Sequence, residues 1–262
     1  MQAVPSQERA LIAFGATERP RRRLYCLPFA GGGPSTFRLW PKSLPVDVEV
    51  IALQHPGRNP GSRQSPPGSI AETVAVVRAG IDELHSREPL PFAIFGHSMG
   101  ALIAFELAVA LEQDGGLAPT MLFVSGRRSP DEPHRGEPIH GLDDGEFLDA
   151  MQRSYGGVPD AVRNEPDLLA LFLPTLRADI RALETYAPLT DRTVRCPVRV
   201  YGGADDRRPA PADLAGWQRV AQHEVSVRIF PGDHFYLTAG REALTEDVAA
   251  EWSVALARSE RS

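Results

Sequence analysis

The chain has 262 residues, 42 % hydrophobic and 24 % charged, with a formal net charge of -6. That is room for one large globular domain with an insertion, or for two small ones. The acidic balance argues against a general nucleic-acid binder. No stretch is long enough to span a membrane, and no His/Cys cluster has metal-ligand spacing.

Residues 1–20 read as a loose N-terminal tail, with a helical turn around Glu8-Arg9-Ala10-Leu11-Ile12. The basic run Arg19 to Arg23 reads as a solvated edge. It is not a twin-arginine signal, because no apolar h-region follows. Residues 24–28 are the first central strand, and Phe29-Ala30-Gly31-Gly32-Gly33 is the loop after it. This loop lacks the spacing of a phosphate or dinucleotide loop. Residues 34–42 form a short helix, and the alternating residues 46–53 form the second strand. A Pro-, Gly- and Arg-rich loop runs from His55 to Gly68. Ser69-Ile70-Ala71-Glu72 has the form of a capping box and opens an amphipathic helix to about His85.

The apolar residues 90–95, then Gly96-His97-Ser98-Met99-Gly100, then the helical pattern of 101–108 make a strand, a sharp turn and a helix. In that context G-x-S-x-G is a nucleophile elbow, with Ser98 held exposed above the sheet. A serine needs a base, and the base an orienting carboxylate. Residues 120–126 are the next strand. From Arg127 to Val194 the strand–helix rhythm stops, and a polar loop gives way to helical patterns beginning near Asp143 and Asp167. An insertion at 128–192 is expected as a helical lid. Residues 196–201 are the following strand, running into Gly202-Gly203-Ala204-Asp205-Asp206. Residues 225–230 are the last, running into Pro231-Gly232-Asp233-His234.

Ligand sites of open α/β sheets lie past the C-terminal ends of strands. His234 follows its strand, on the edge of Ser98, whereas His223 precedes it. His234 is therefore the base. For the acid, the glycine-x-x-acid spacing from Gly202 puts Asp205 first and Asp206 second, with Asp233 as a turn former. The oxyanion donors are the N–H of Met99 and, from the glycine-rich loop, that of Phe29, with Ala30 next. Arg127, Arg128, Arg207 and Arg208 are expected at the mouth of the pocket. Cys26 and Cys196 are expected in central strands as buried free thiols of a cytoplasmic protein.

With these motifs in place, the chain resembles the type II (editing) thioesterases that accompany polyketide and nonribosomal peptide synthetases. The resemblance runs from about Leu24 to Trp252. It rests on Leu27-Pro28-Phe29-Ala30-Gly31-Gly32 with Phe37 and Trp40, on Gln54-His55-Pro56-Gly57-Arg58, on the elbow, on Tyr201 to Asp206 leading to Trp217, and on Gly232-Asp233-His234-Phe235-Tyr236-Leu237. His55 stands where an aliphatic residue is common, and Asp233 where glycine is common. The resemblance implies a single α/β-hydrolase domain over 1–262, a mostly parallel sheet with helices on both faces, and a monomer. It implies hydrolysis of acyl thioesters from the phosphopantetheine arm of acyl or peptidyl carrier proteins, with no cofactor of the enzyme's own and no nucleic-acid or membrane partner. The alternatives are a general carboxylesterase or lipase, an excised synthase-terminal thioesterase, and a catalytically silent carrier-binding scaffold.

Overall fold

The computed structural model describes residues 10–15, 19–58, 65–115, 117–155, 163–188 and 191–259. Seven strands form one sheet: β1 (Leu11–Phe14), β2 (Arg22–Leu27), β3 (Val48–Leu53), β4 (Phe92–His97), β5 (Met121–Ser125), β6 (Val198–Gly203) and β7 (Ser226–Phe230). Their order is β1-β3-β2-β4-β5-β6-β7. Every pair is parallel except β1 with β3. The helices are α1 (Ile70–Arg87), α2 (Met99–Gln113), α3 (Asp144–Tyr155), α4 (Pro166–Glu184), α5 (Tyr236–Ala239) and α6 (Arg241–Ser259). No described helix is long and apolar enough to cross a membrane.

The central strands read as unbroken apolar runs because both faces are covered, as parallel sheets require. All six residues of β4 are buried. One face carries Ile70, Val74, Val77 and Ile81 of α1, the apolar side of α2, and Leu176 and Ile180 of α4. The other carries Phe37, Trp40 and the Leu244, Val248 and Trp252 stripe of α6. Ser69 caps α1, its side chain accepting from Glu72 N–H at 3.2 Å, while Glu72 Oε2 accepts from Gly68 N–H at 2.7 Å. The box is thus closed one residue upstream of its usual place.

The structure corrects several expectations. The tail holds an edge strand. β1 pairs antiparallel with β3, Leu11 opposite Leu53, and Leu11 packs onto Gly80, leaving no helical turn at residues 10–12. The rest of the expected turn, Glu8 and Arg9, lies outside the described residues. Residues 34–42 form two 3-10 turns, Pro34–Phe37 and Trp40–Lys42, each with a proline in its first turn. Arg23 is not solvated. It lies opposite Glu49 in the ladder and is 4 % exposed. Its guanidinium pairs with Glu49 at 2.8 Å and Glu88 at 2.7 Å. A buried charge is tolerable only when paired in this way. Cys26 lies in β2 and Cys196 just ahead of β6; both are buried free thiols, and burial pushes each thiol's pKa well up.

His55, after β3, is 2 % exposed, and its Nε2 meets no hydrogen-bond partner among the described residues. Burial and the nearby Arg58 charge push its pKa down to about 2. The folded state therefore excludes a proton that the unfolded state takes up near pH 6.5. Stability should fall as pH drops below 6.5, by up to about 1.4 kcal/mol per pH unit for this residue. In thermal melts from pH 7 to 4.5, His55→Leu should show a shallower acid decline than the wild type. An unchanged slope would contradict this. Gly100 gives a second prediction. A Cβ there would lie 2.0 Å from the Leu27 carbonyl oxygen. Gly100→Ala should cost about 3 kcal/mol or more, read as a large drop in Tm or loss of soluble protein.

Candidate active site

The site is built from the C-terminal ends of β2, β4, β5, β6 and β7. Ser98 stands between β4 and α2 with φ 56° and ψ -111°, a left-handed conformation that costs on the order of 1–3 kcal/mol. The surroundings enforce it. Ser98 N–H donates to the Ser125 carbonyl at 2.8 Å. Cβ atoms at Gly96 and Gly100 would lie 2.1 Å and 2.0 Å from backbone oxygens, so helix and strands approach more closely than any other residue allows. Ser98 lines a cavity of about 250 Å³ together with Gly126.

His234 is buried, and its Cε1 lies 3.4 Å from where a Cβ would be on Gly126, a residue that lines that cavity. Its Nδ1–H donates to Asp206 Oδ2 at 2.7 Å. This tautomer leaves Nε2 as the acceptor a base needs. The acid paired with His234 is therefore Asp206, and the expectation of Asp205 is corrected. Asp206 N–H donates back to Gly203 O at 3.3 Å, closing a turn with Asp205 at its corner. Asp205 faces solvent, its amide bonded to Gly232 O at 2.9 Å, while Asp206 is 6 % exposed. Arg208 N–H donates to the other Asp206 oxygen at 2.9 Å. The glycine-x-x-acid count starts from Gly203 rather than Gly202. Asp233 is the turn former expected, accepting from Phe235 N–H at 2.8 Å.

Met99 opens α2, so its N–H is one of the helix-terminal amides that lack an intrahelical acceptor. Phe29 sits in the loop after β2, its ring edge-on to His97 and Phe235. Gly31, at φ 75°, donates its N–H to Asp179 Oδ2 of α4 at 2.7 Å. A side chain at Gly31 would strike Phe172 and Leu176 of the same helix. Arg58 ion-pairs with Asp179 and donates to the Gly32 carbonyl at 3.1 Å. This strut fixes the glycine loop against α4. Burial pushes the Asp179 carboxyl pKa up, with Arg58 and the Gly31 amide opposing.

Sequence reasoning missed this strut, and also a buried chain beneath His234. His97 Nδ1 lies 2.8 Å from Ser125 Oγ, which lies 2.5 Å from Tyr236 Oη. The His97 ring packs 5.0 Å from that of His234. Burial and His234 push the His97 pKa well down, so His97 stays neutral. Its only signal in the sequence is its place in the elbow. Arg127, Arg128, Arg207 and Arg208 all line the cavity above Ser98, as expected, with Glu132 and Asp213 among them. Arg128 pairs with Glu132 at 3.2 Å.

The thioesterase domain family model matches residues 22–251. The gramicidin S biosynthesis protein GrsT of Aneurinibacillus migulanus is 36 % identical over 235 residues, covering 90 % of each chain. Thioesterase PikA5 of Streptomyces venezuelae is 36 % identical over 228 residues, 87 % of this chain and 79 % of PikA5. YbtT, a type II thioesterase from the yersiniabactin NRPS/PKS biosynthetic pathway, matches in structure with a TM-score of 0.81 at 30 % identity, over 94 % of this chain and 99 % of that one. The chain thus belongs to the thioesterase domain family, has the α/β-hydrolase fold, and is a hydrolase that acts on thioesters.

Proposed function

We propose that this chain is a stand-alone type II thioesterase that clears stalled or aberrant acyl groups from the phosphopantetheine arm of carrier proteins in polyketide or nonribosomal peptide synthesis. The observation that carries the reading is the left-handed Ser98, which lines a cavity with Gly126, together with a buried His234 beside Gly126 that is held by Asp206. In the first half-reaction Ser98 Oγ attacks the thioester carbonyl while His234 Nε2 takes its proton. Asp206 holds the imidazole and stabilises its charged form. Negative charge develops on the carbonyl oxygen, where the Met99 and Phe29 amides and the positive end of α2 stabilise it. The tetrahedral intermediate collapses. The C–S bond breaks, and the proton on His234 passes to the departing pantetheine sulfur. In the second half-reaction His234 takes a proton from water, which attacks the acyl-serine ester. The acid leaves, and Ser98 recovers its proton.

Two further features support a carrier-borne substrate. The cavity mouth carries five arginines, Arg127, Arg128, Arg135, Arg207 and Arg208, against Glu132 and Asp213, a balance suited to an acidic carrier or the phosphate of its arm. Helices α3 and α4 lie in the insertion between β5 and β6, with α4 seated on the glycine loop. In this reading they are a lid over 128–192 that gates entry of the arm.

The test is hydrolysis of short acyl groups from a phosphopantetheinylated carrier protein, followed by intact-protein mass spectrometry. The wild type should deacylate the carrier, and Ser98→Ala should show no deacylation above the uncatalysed background. A folded wild type inert towards several acyl-carriers yet active on simple oxygen esters would favour the carboxylesterase alternative.

A further inference from the structure

The cavity above Ser98 has an apolar neighbour. A second hollow, of about 340 Å³, lies between α1, α2 and the end of α4; its lining is mostly apolar, with Ile70, Val74, Ala110 and Ala182, and Glu106 and Arg192 also border it. Among the described residues, Tyr186 alone lines both spaces. Its side chain is fixed from the nucleophile helix: Tyr186 Oη donates to Glu106 Oε1 at 2.6 Å, and Arg192 Nη1 donates to Glu106 Oε2 at 2.5 Å. Glu106 is 8 % exposed on an otherwise apolar face of α2. An unpaired carboxylate there would be costly, and its two partners are the tyrosine and the arginine that close the hollow on either side.

We propose that Tyr186 is the back wall of the acyl pocket, and that the hollow behind it is a latent extension of that pocket fitted to a straight, apolar acyl tail. With Tyr186 in place, the space next to Ser98 is short and rimmed by arginines, so it takes small acyl groups. With the ring removed the two spaces join, and a longer chain gains an apolar lining while Arg192 keeps Glu106 paired. The proposal deepens the thioesterase reading and rests on it for the identity of the acyl group.

The test compares wild type, Tyr186→Ala and Tyr186→Phe on acyl-pantetheine thioesters from acetyl to decanoyl. A methylene accommodated or refused in an apolar pocket changes kcat/KM by about tenfold or more. Tyr186→Ala should therefore raise the decanoyl-to-acetyl ratio of kcat/KM by at least about tenfold over wild type. Tyr186→Phe keeps the wall and loses only the bond to Glu106, so its ratio should stay within about threefold of wild type. Alkyl fluorophosphonates of the same chain lengths give a second readout, since their rate of attachment to Ser98 needs only the nucleophile and the pocket. Folding is checked by circular dichroism, with Tyr186→Ser replacing the alanine variant if that does not fold. A folded small-residue variant with the wild-type ratio in both assays overturns the proposal, as does an equal shift in Tyr186→Phe. A shift with the phosphonates alone, with no thioester hydrolysed by any form, upholds the wall and sinks the thioesterase reading instead.

Discussion

The close crossing of β2, β4 and α2 at Ser98 is the constraint on which the site depends. A single methyl group at Gly96 or Gly100 would collide with backbone oxygen. That intimacy forces the serine into its left-handed conformation. It also joins the strand that ends in the glycine-rich loop to the helix that begins with Met99, so the Phe29 and Met99 amides, the proposed oxyanion donors, belong to one rigid unit with Ser98. Positioning of this kind costs stability at the serine and is maintained by the packing around it.

The remaining parts are fastened to that unit by polar contacts in dry surroundings. Gly203 lies so near the Gly232 and Asp233 carbonyls that only glycine fits, and Ala204 and Asp205 donate their amides to Phe230 and Gly232. The acid loop and the histidine loop are thereby zipped together, and Asp206 meets His234 from a fixed direction. The neutral His97, with Ser125 and Tyr236 behind it, fills the space beneath. On the opposite side, Arg58 and Asp179 hold the glycine loop to α4. Glu112 accepts the amides of Arg195 and Cys196 at 2.7 and 2.9 Å, anchoring the entry to β6 on α2. Among the described residues, the buried Arg23, Glu106, Glu112, Asp179 and Asp206 each have a partner, as burial demands.

The elements legible in the sequence were those whose signal is local. The elbow announces itself because an apolar strand, two glycines and a helical period follow one another without a gap. His234 follows from chain order and the end of a strand. What escaped depends on partners distant in sequence. Arg23 looks like surface within its basic run, yet its acids lie 26 and 65 residues away. β1 is four residues long, and only pairing with β3 makes it a strand. The choice between Asp205 and Asp206 turns on a single hydrogen bond, from Asp206 N–H to Gly203 O, that decides which of two adjacent carboxylates faces inward. The strut from Arg58 to Asp179 spans 121 residues, and no spacing rule reaches so far.

Placed together, these parts form the proposed serine hydrolase site, whose acid is set by the geometry of one turn. The measurement that bears most directly on this is the steady-state comparison of Asp206→Asn and Asp205→Asn on a short acyl-pantetheine thioester. The account predicts a loss in kcat of roughly 10⁴ for Asp206→Asn, as for the same change in a well-studied serine protease, and a change of no more than a few-fold for Asp205→Asn. A large loss at Asp205 with Asp206→Asn near wild type would contradict it.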